Sequence, residues 1–238
     1  MRDELGLDYT TDNPDCVQLF CEALENYLAS SAQVMPGLEQ LLEQDPAMPM
    51  ALLFRAYLLK FAADPRFRAA INQCFDTVSA RPDLNDREQR HLKALSLWQA
   101  DQMMDAVAVF DEIVLDYPKD MLALRIAHYL HFYGSGGRQM MESLHVALQH
   151  HEPNDRYYGF LKGMHSFALE ESGHYPEAEA AGLEALDINR KDIWAAHAVT
   201  HVYQMQSRFE EAIRFIESLL PEWTSANNFV YHLHWHKA

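Results

Sequence analysis

Apolar residues recur at three- and four-residue steps along most of the chain. This spacing places them on one side of an α-helix. No segment shows the strict alternation of apolar and polar residues that is typical of a half-buried strand. The pattern therefore predicts an all-α protein. In the stretch 101–115, for example, the apolar positions are Met104, Val107, Val109, Phe110, Ile113 and Val114.

The prolines reveal a repeat. Pro46, Pro82 and Pro118 are 36 residues apart, and each follows an amphipathic run. In the later part of the chain, helical patterns over 158–171 and 176–186 are separated by a short turn, and 193–205 and 210–220 repeat the plan. A two-helix unit of 34 to 36 residues is the period of tetratricopeptide repeats. The sequence predicts an α-solenoid, in which helix pairs stack with a right-handed twist around a concave inner face.

We predict one helical-repeat domain over 1–238, made of six helix pairs and an incomplete seventh. The pairs lie near 15–46, 50–82, 87–118, 121–153, 157–190 and 193–223, and an unpaired helix covers 226–238. Solenoids normally end in a helix with a polar outer face, whereas this one carries Phe229, Tyr231 and Trp235. We therefore expect the chain to be truncated at its C-terminus. The alternatives are a last helix that packs on another subunit or folds back.

The charge balance excludes two classes of partner. Acidic residues outnumber basic ones by 35 to 19, which gives a net charge of −16. A phosphate backbone or an anionic membrane surface would require clustered Lys and Arg, so we predict neither a nucleic acid nor a membrane as partner. The N-terminus has no apolar core of a signal peptide, and the three cysteines form no CxxC pair. These features favour a cytoplasmic protein with reduced thiols.

Histidine is unusually frequent and unevenly distributed. The chain has 13 histidines, and all but one lie from His128 onward. In a tetratricopeptide array the first helix of each pair lines the concave face, and nine histidines fall on predicted first helices. These nine are His91, His128, His131, His165, His197, His201, His232, His234 and His236. The other four, which we expect to be exposed to solvent, are His145, His150, His151 and His174.

The spacing of the later histidines predicts a common pocket. His197 and His201 are four residues apart and leave the same face of a helix, and His232 and His236 repeat this relation one unit later. Because stacked helices lie ~10 Å apart, side chains from adjacent repeats can converge. The predicted ligand-binding set is His128, His165, Glu170, His197, His201, His232 and His236.

Imidazole and carboxylate groups support two kinds of chemistry. They bind transition metals such as zinc, and they act as general acids and bases. We predict His197, His201 and His236 as metal ligands, and Glu170 and His201 as candidate catalytic groups. The HExxH signature of zinc hydrolases is absent, because the interior of the His197–His201 motif is AVT. The alternative is that these histidines are hydrogen-bonded packing residues, above all His165.

Four motifs carry a resemblance to a known family. They are LRIAHYLHFY (124–133), GMHSFALEESGHYPEAEAAGLEAL (163–186), WAAHAVTHVYQMQSRFEEAI (194–213) and NFVYHLHWH (228–236). Together they resemble the tetratricopeptide repeat protein 38 family over essentially the whole chain. The resemblance implies a helical-repeat fold, a shared pocket built from the seven residues above, and a chain that continues through several more helices. His234 departs from the family pattern, in which a bulky aromatic residue is more usual.

Two functions stay open at this point. The first is a scaffold that binds a peptide, a protein or a small ligand on the His-rich concave face. The second is a metal-dependent or acid–base enzyme that acts on a small molecule. The resemblance implies no particular reaction that would decide between them.

Overall fold

The computed structural model describes residues 1–237, and their regular structure is helical. No β-strand occurs among these residues, where β-type pairing is confined to two isolated bridges, Arg2 with Asp8 and Ser31 with Ala226. The α-helices are α1 (Pro14–Leu28), α2 (Val34–Gln44), α3 (Pro49–Phe61), α4 (Arg68–Ser79), α5 (Asp86–Gln99), α6 (Met103–Asp116), α7 (Met121–Gly134), α8 (Gly137–Leu148), α9 (Tyr158–Glu171), α10 (Tyr175–Ile188), α11 (Ile193–Met205), α12 (Phe209–Leu219) and α13 (Phe229–Lys237).

The helices follow one another as pairs. First helices start 35 to 37 residues apart, at Pro14, Pro49, Asp86, Met121, Tyr158, Ile193 and Phe229. Contacts join the two helices of a pair, such as α9 and α10, and also join first helices of successive pairs, such as α9 and α11. The predicted all-α fold of six helix pairs and one further helix is confirmed for residues 1–237. None of these helices is long and apolar enough to cross a membrane.

The chain divides into two compact units. The first unit comprises Met1–Leu24 and Val34–Leu130. The second unit comprises Glu25–Gln33 and the chain from His131 onward. Each unit has its own buried side chains, and the candidate site described below lies within the second.

A buried polar network ties together the first unit. Arg87 Nη1 donates to Asp120 Oδ2 at 2.7 Å, and His91 Nε2 lies 3.0 Å from the same oxygen. The other carboxylate oxygen accepts from the backbone N–H of Ala123 at 2.9 Å, at the start of α7. Tyr57 completes the network by donating its hydroxyl to the carbonyl oxygen of His91 at 2.8 Å. Asp120 is thus an ion-pair partner of α5 and a cap for α7.

We expect the stability of the first unit to fall in acid because of Asp120. Burial alone would raise the pKa of this carboxyl, but attraction by His91 and Arg87 outweighs burial and holds the pKa well below its usual range. A pKa that is lower in the folded than in the unfolded chain adds stability above the unfolded pKa of ~4, and this stability disappears as the pH falls below it.

Urea denaturation from pH 7 down to pH 2 measures this effect. Wild-type protein is expected to lose unfolding free energy more steeply below pH ~4 than Asp120→Asn, which has no carboxyl to protonate. Equal pH slopes for the two proteins would contradict the assignment.

The helices α9, α10 and α11 pack closely together in the second unit. A Cβ atom added at Gly182 on α10 would collide with Val199 of α11 and would come within 2.7 Å of Ser166 Oγ on α9. The side chains of Val199 and Ser166 are themselves fully buried, so neither has space to move away. Gly182 therefore permits α10 to pack closely against both α9 and α11.

Gly182→Ala is expected to destabilise the protein by about 1–3 kcal/mol, the usual cost of overpacking. Gly37→Ala is the matched control, because a Cβ atom at Gly37 of α2 would make only an ordinary contact of 3.8 Å with Ala23. Alanine favours helix by about 1 kcal/mol over glycine, so this control is expected to be neutral or slightly stabilising. Urea denaturation of the two variants tests the packing, and equal stabilities would disprove it.

Helix α13 is held from two sides. Its Leu233 is fully buried in a cluster with Ile193 and Trp223. The segment before it makes backbone hydrogen bonds to the turn that follows α1, from Asn227 N–H to the Ser30 carbonyl at 2.7 Å and from Ala32 N–H to the Ser225 carbonyl at 2.9 Å. These contacts fix the position of α13 along the axis of α11.

Candidate metal centre

Four histidine side chains converge between α11 and α13. The Nε2 atoms of His197 and His232 lie 3.0 Å apart, those of His232 and His236 lie 2.9 Å apart, and those of His201 and His236 lie 3.1 Å apart. One ligand atom from each of the four lies within 4.8 Å of the other three. The four rings therefore present nitrogen atoms to a common point.

The repeat explains the convergence. His197 and His201 are one helical turn apart on α11, and His232 and His236 are one turn apart on α13. Each partner lies 35 residues from its counterpart, which is one repeat period. Because α13 stacks beside α11 in the same register, the two histidine pairs meet ring against ring.

Aromatic side chains surround the cluster. The ring of Phe167 on α9 stacks on His197 with centroids 5.6 Å apart, and Phe229 meets the same imidazole edge-on at 5.1 Å. Trp235 stacks on His232 at 5.8 Å. His197 is buried and His232 is exposed. The cluster is therefore closed at its base on α11 and open to solvent at α13.

Gln204 determines the tautomer of His236. The Gln204 side-chain N–H donates to the backbone carbonyl of His236 at 2.9 Å, which fixes the orientation of the amide. The amide oxygen then faces His236 Nδ1 at 2.9 Å. An amide oxygen only accepts, so Nδ1 carries the proton and the lone pair of Nε2 points into the cluster.

The neutral form of the rings is favoured at α13. Burial, and then the neighbouring His201 and His232, lower the pKa of His236 to about 4. Burial, and then His201, also lower the pKa of His232. Neutral imidazole is the form that binds a metal.

Hydrogen bonds alone cannot account for the three close nitrogen contacts. With Nδ1 of His236 protonated, its Nε2 has one lone pair and can accept from either His201 or His232, but not from both. At most two of the three contacts can then be N–H···N bonds. A cation at the centre accepts a lone pair from all four rings.

The spacing suits a transition metal. Tetrahedral bonds of ~2.0–2.1 Å from zinc to imidazole nitrogen place the nitrogens about 3.4 Å from one another. The three close contacts of 2.9 to 3.1 Å and the limit of 4.8 Å on the remaining pairs lie on either side of that value. The four residues present therefore fit zinc or a metal of similar size.

Two carboxylates at the C-terminal end of α9 lie next to His201, on the side that faces away from His236. Glu170 Oε2 is 3.4 Å from His201 Nδ1, the ring nitrogen that faces away from His236. Ligand atoms of Glu170, Glu171 and His201 lie within 4.8 Å of one another. Burial, and then the charge of Glu170, raise the pKa of Glu171.

The other predicted site residues lie elsewhere. His165 borders a cavity of about 670 Å³ that Glu171 also lines but the four converging histidines do not. Burial, followed by the nearby charge of Lys162, lowers the pKa of His165. His128 is buried in α7, in the first unit, beside Tyr129. The structure thus brings together His197, His201, His232, His236 and Glu170 of the predicted set. The cavity is lined by Arg138, Met141, Glu142, His145, Leu148, His165, Glu171, Ser172 and His174.

The four histidines that were expected to be exposed follow that expectation with one exception. His145, His150 and His174 are exposed, as predicted. The prediction was wrong for His151, which is buried in the loop after α8, where the turn over 152–155 places Asp155 Oδ2 3.4 Å from its Nδ1.

Gln204 and Phe167 are site residues that the sequence did not single out. Gln204 follows His201 by three residues on α11, so helical spacing places it on the same face. A polar side chain at this position was the signal by which the sequence could have indicated Gln204 as a site residue. Phe167 gave none, because an apolar residue in a helix is normally interpreted as a packing residue.

No family model matches the sequence. Among solved structures, the chain is similar to the crystal structure of the P58(IPK) TPR domain, with 13% sequence identity and a TM-score of 0.39 over 94% of this chain and 65% of that chain. The chain thus corresponds to less than two thirds of that domain's length.

Proposed function

We propose that the protein is a helical-repeat protein with a transition-metal centre, in which His197, His201, His232 and His236 bind zinc or a related divalent ion. The convergence of four Nε2 atoms, with more close contacts than N–H···N bonds can satisfy, carries this proposal. Four neutral imidazoles favour zinc, copper, nickel or iron(II) over magnesium or calcium. His201 would then serve as a ligand and not as an acid–base group.

The open side of the centre supports chemistry on a small molecule. His232 is exposed, and beside it Tyr231 and Trp235 each expose 69% of their surface. Four histidines fill the tetrahedral positions of zinc, so a ligand from solvent would have to make the metal five-coordinate before the metal could polarise it as a Lewis acid. We therefore place the metal-dependent function ahead of a scaffold whose binding needs no metal.

Native purification without a histidine tag, followed by elemental analysis and zinc titration, tests the proposal. We expect at least one equivalent of metal in wild-type protein and at least 100-fold weaker binding at this site in the His232→Ala/His236→Ala variant. His234→Ala is the matched control, because His234 lies on the same helix but outside the cluster. Trace metal in wild-type protein and no saturable zinc binding after chelator treatment would overturn the proposal.

Gln204→Leu is expected to weaken zinc binding by about 10- to 100-fold, as is usual when the partner of a metal-binding histidine is removed. The leucine leaves His236 Nδ1 without its acceptor, so the ring is free to rotate. Gln204→Glu keeps an acceptor and is expected to retain most of the affinity. Competition with a chromophoric chelator measures both variants, and wild-type affinity in Gln204→Leu would show that the tautomer is set by other means.

A scaffold function is the second candidate. Exposed aromatic side chains such as Tyr231 and Trp235 are enriched on surfaces that bind partners, and helical repeats provide such surfaces. We propose it as binding of a peptide or small ligand next to the histidines. Ligand binding that survives chelation and the His232→Ala/His236→Ala change would favour this candidate over the metal-dependent one.

We also propose membership of the tetratricopeptide repeat protein 38 family. The support is the set of motifs quoted above, two of which contain all four converging histidines. Conservation of these histidines together with Gln204 in a set of homologous sequences would support this assignment.

A further inference from the structure

We propose a second divalent-cation site formed by Glu170, Glu171 and His201, adjacent to the four-histidine centre and sharing His201 with it. The proposal rests on the proposed function in one respect, since His201 binds a cation through each ring nitrogen. The chain then carries a pair of metal ions linked by one imidazole.

The two ring nitrogens of His201 face different groups. Nε2 points to α13, 3.1 Å from His236 Nε2. Nδ1 points to α9, 3.4 Å from Glu170 Oε2. The Glu171 carboxylate completes the second group, in which the three ligand atoms lie within 4.8 Å of one another.

The buried carboxylate of Glu170 is the main evidence for a bound cation. Its side chain is only 6% exposed, and its Oε2 atom accepts no hydrogen bond, since its contact with His201 Nδ1 is a looser one of 3.4 Å. Leaving a buried carboxylate oxygen without a partner is costly. A cation at this point would satisfy it.

The position of the two acids on the helix strengthens the case. Glu170 and Glu171 are the last two residues of α9. The C-terminal end of a helix carries partial negative charge and disfavours acidic side chains. Among residues 1–237, no Lys or Arg forms an ion pair with either carboxylate at this end of α9. A divalent cation compensates two carboxylates and the helix end together.

The ligand types indicate the class of ion. Two carboxylates and one imidazole suit zinc, manganese or iron(II), and exposed Glu171 leaves the remaining positions to water. Binding at Nδ1 when Nε2 already carries a metal requires release of the ring N–H proton to solvent. Repulsion between neighbouring cations makes the second ion bind more weakly than the first.

Zinc titration of metal-free, untagged full-length protein tests the second site. Wild-type protein is expected to bind two zinc ions per chain, the second at least 10-fold more weakly. Glu171→Gln, an exposed position, is expected to bind one, and so is His232→Ala/His236→Ala. Glu39→Gln, an exposed change on α2, is the control and is expected to bind two.

The outcomes separate the two proposals. If wild-type protein and Glu171→Gln each bind one zinc ion, the second site is overturned and the four-histidine centre is left intact. The same conclusion follows if Glu171→Gln binds two zinc ions. One zinc in wild-type protein that is lost in Glu171→Gln and kept in His232→Ala/His236→Ala overturns the four-histidine centre instead. No saturable binding overturns both.

Discussion

Replacing His197 and His201 together with alanine is expected to abolish zinc binding and the stabilisation that zinc provides. The two residues supply half of the four-histidine centre, and His201 also belongs to the proposed second site. A ligand that binds only the folded state at 100 times its dissociation constant stabilises it by about 2.7 kcal/mol. Wild-type protein is expected to gain that amount on adding zinc, and the double variant to gain nothing.

Differential scanning calorimetry with and without zinc measures this effect. His197 is buried and stacks on Phe167, so the variant is expected to be less stable even without metal. Each protein is therefore compared with its own metal-free form. His145→Ala/His150→Ala removes two exposed histidines and is the control that keeps the gain. An equal zinc-induced gain in the His197→Ala/His201→Ala variant would show that zinc binds elsewhere.

Asp120→Ala is expected to destabilise the first unit by about 3–5 kcal/mol, the cost of removing one partner of a buried ion pair. Arg87, which is only 2% exposed, would remain as an uncompensated buried charge. The Ala123 N–H would also lose its acceptor at the start of α7. Loss of this helix cap costs roughly 1 kcal/mol more.

Urea denaturation followed by circular dichroism measures the loss. Asp116→Ala is the matched control, because Asp116 pairs with Arg90 on the surface with 53% of its side chain exposed. A surface ion pair contributes about 0–1 kcal/mol. An effect of Asp120→Ala as small as that of Asp116→Ala would mean that the buried network does not stabilise the unit.

The fold was accessible from the sequence because its signals are local and periodic. The helices α2, α4 and α6 end just before Pro46, Pro82 and Pro118, the three prolines that defined the repeat. Proline cannot continue a helix without loss of a hydrogen bond. A local rule repeated at constant spacing therefore determined most helix ends.

The candidate site was only partly accessible. The i, i+4 spacing of His197 and His201 leaves them about 40° apart around α11, so their convergence was predictable. His165 and Glu170 are five residues apart and leave α9 about 140° apart, which explains why His165 lines a cavity to which Glu170 does not contribute. Spacing along one helix thus argued against a single pocket containing both.

Other features depend on contacts that no local pattern encodes. The hydrogen bonds of Gln204 to His236 join two helices. They depend on the position of α13 along the axis of α11. His91 is a similar case. Its place on a first helix indicated an inner face, whereas the structure buries it against Asp120, 29 residues away.

Anomalous X-ray diffraction from crystals of zinc-loaded protein, recorded on both sides of the zinc absorption edge, tests the central claim most directly. We expect an anomalous peak between α11 and α13, within ~2.0–2.1 Å of the Nε2 atoms of His197, His201, His232 and His236. Zinc-loaded crystals with no peak at that position, and four imidazoles linked only to one another or to water, would contradict it.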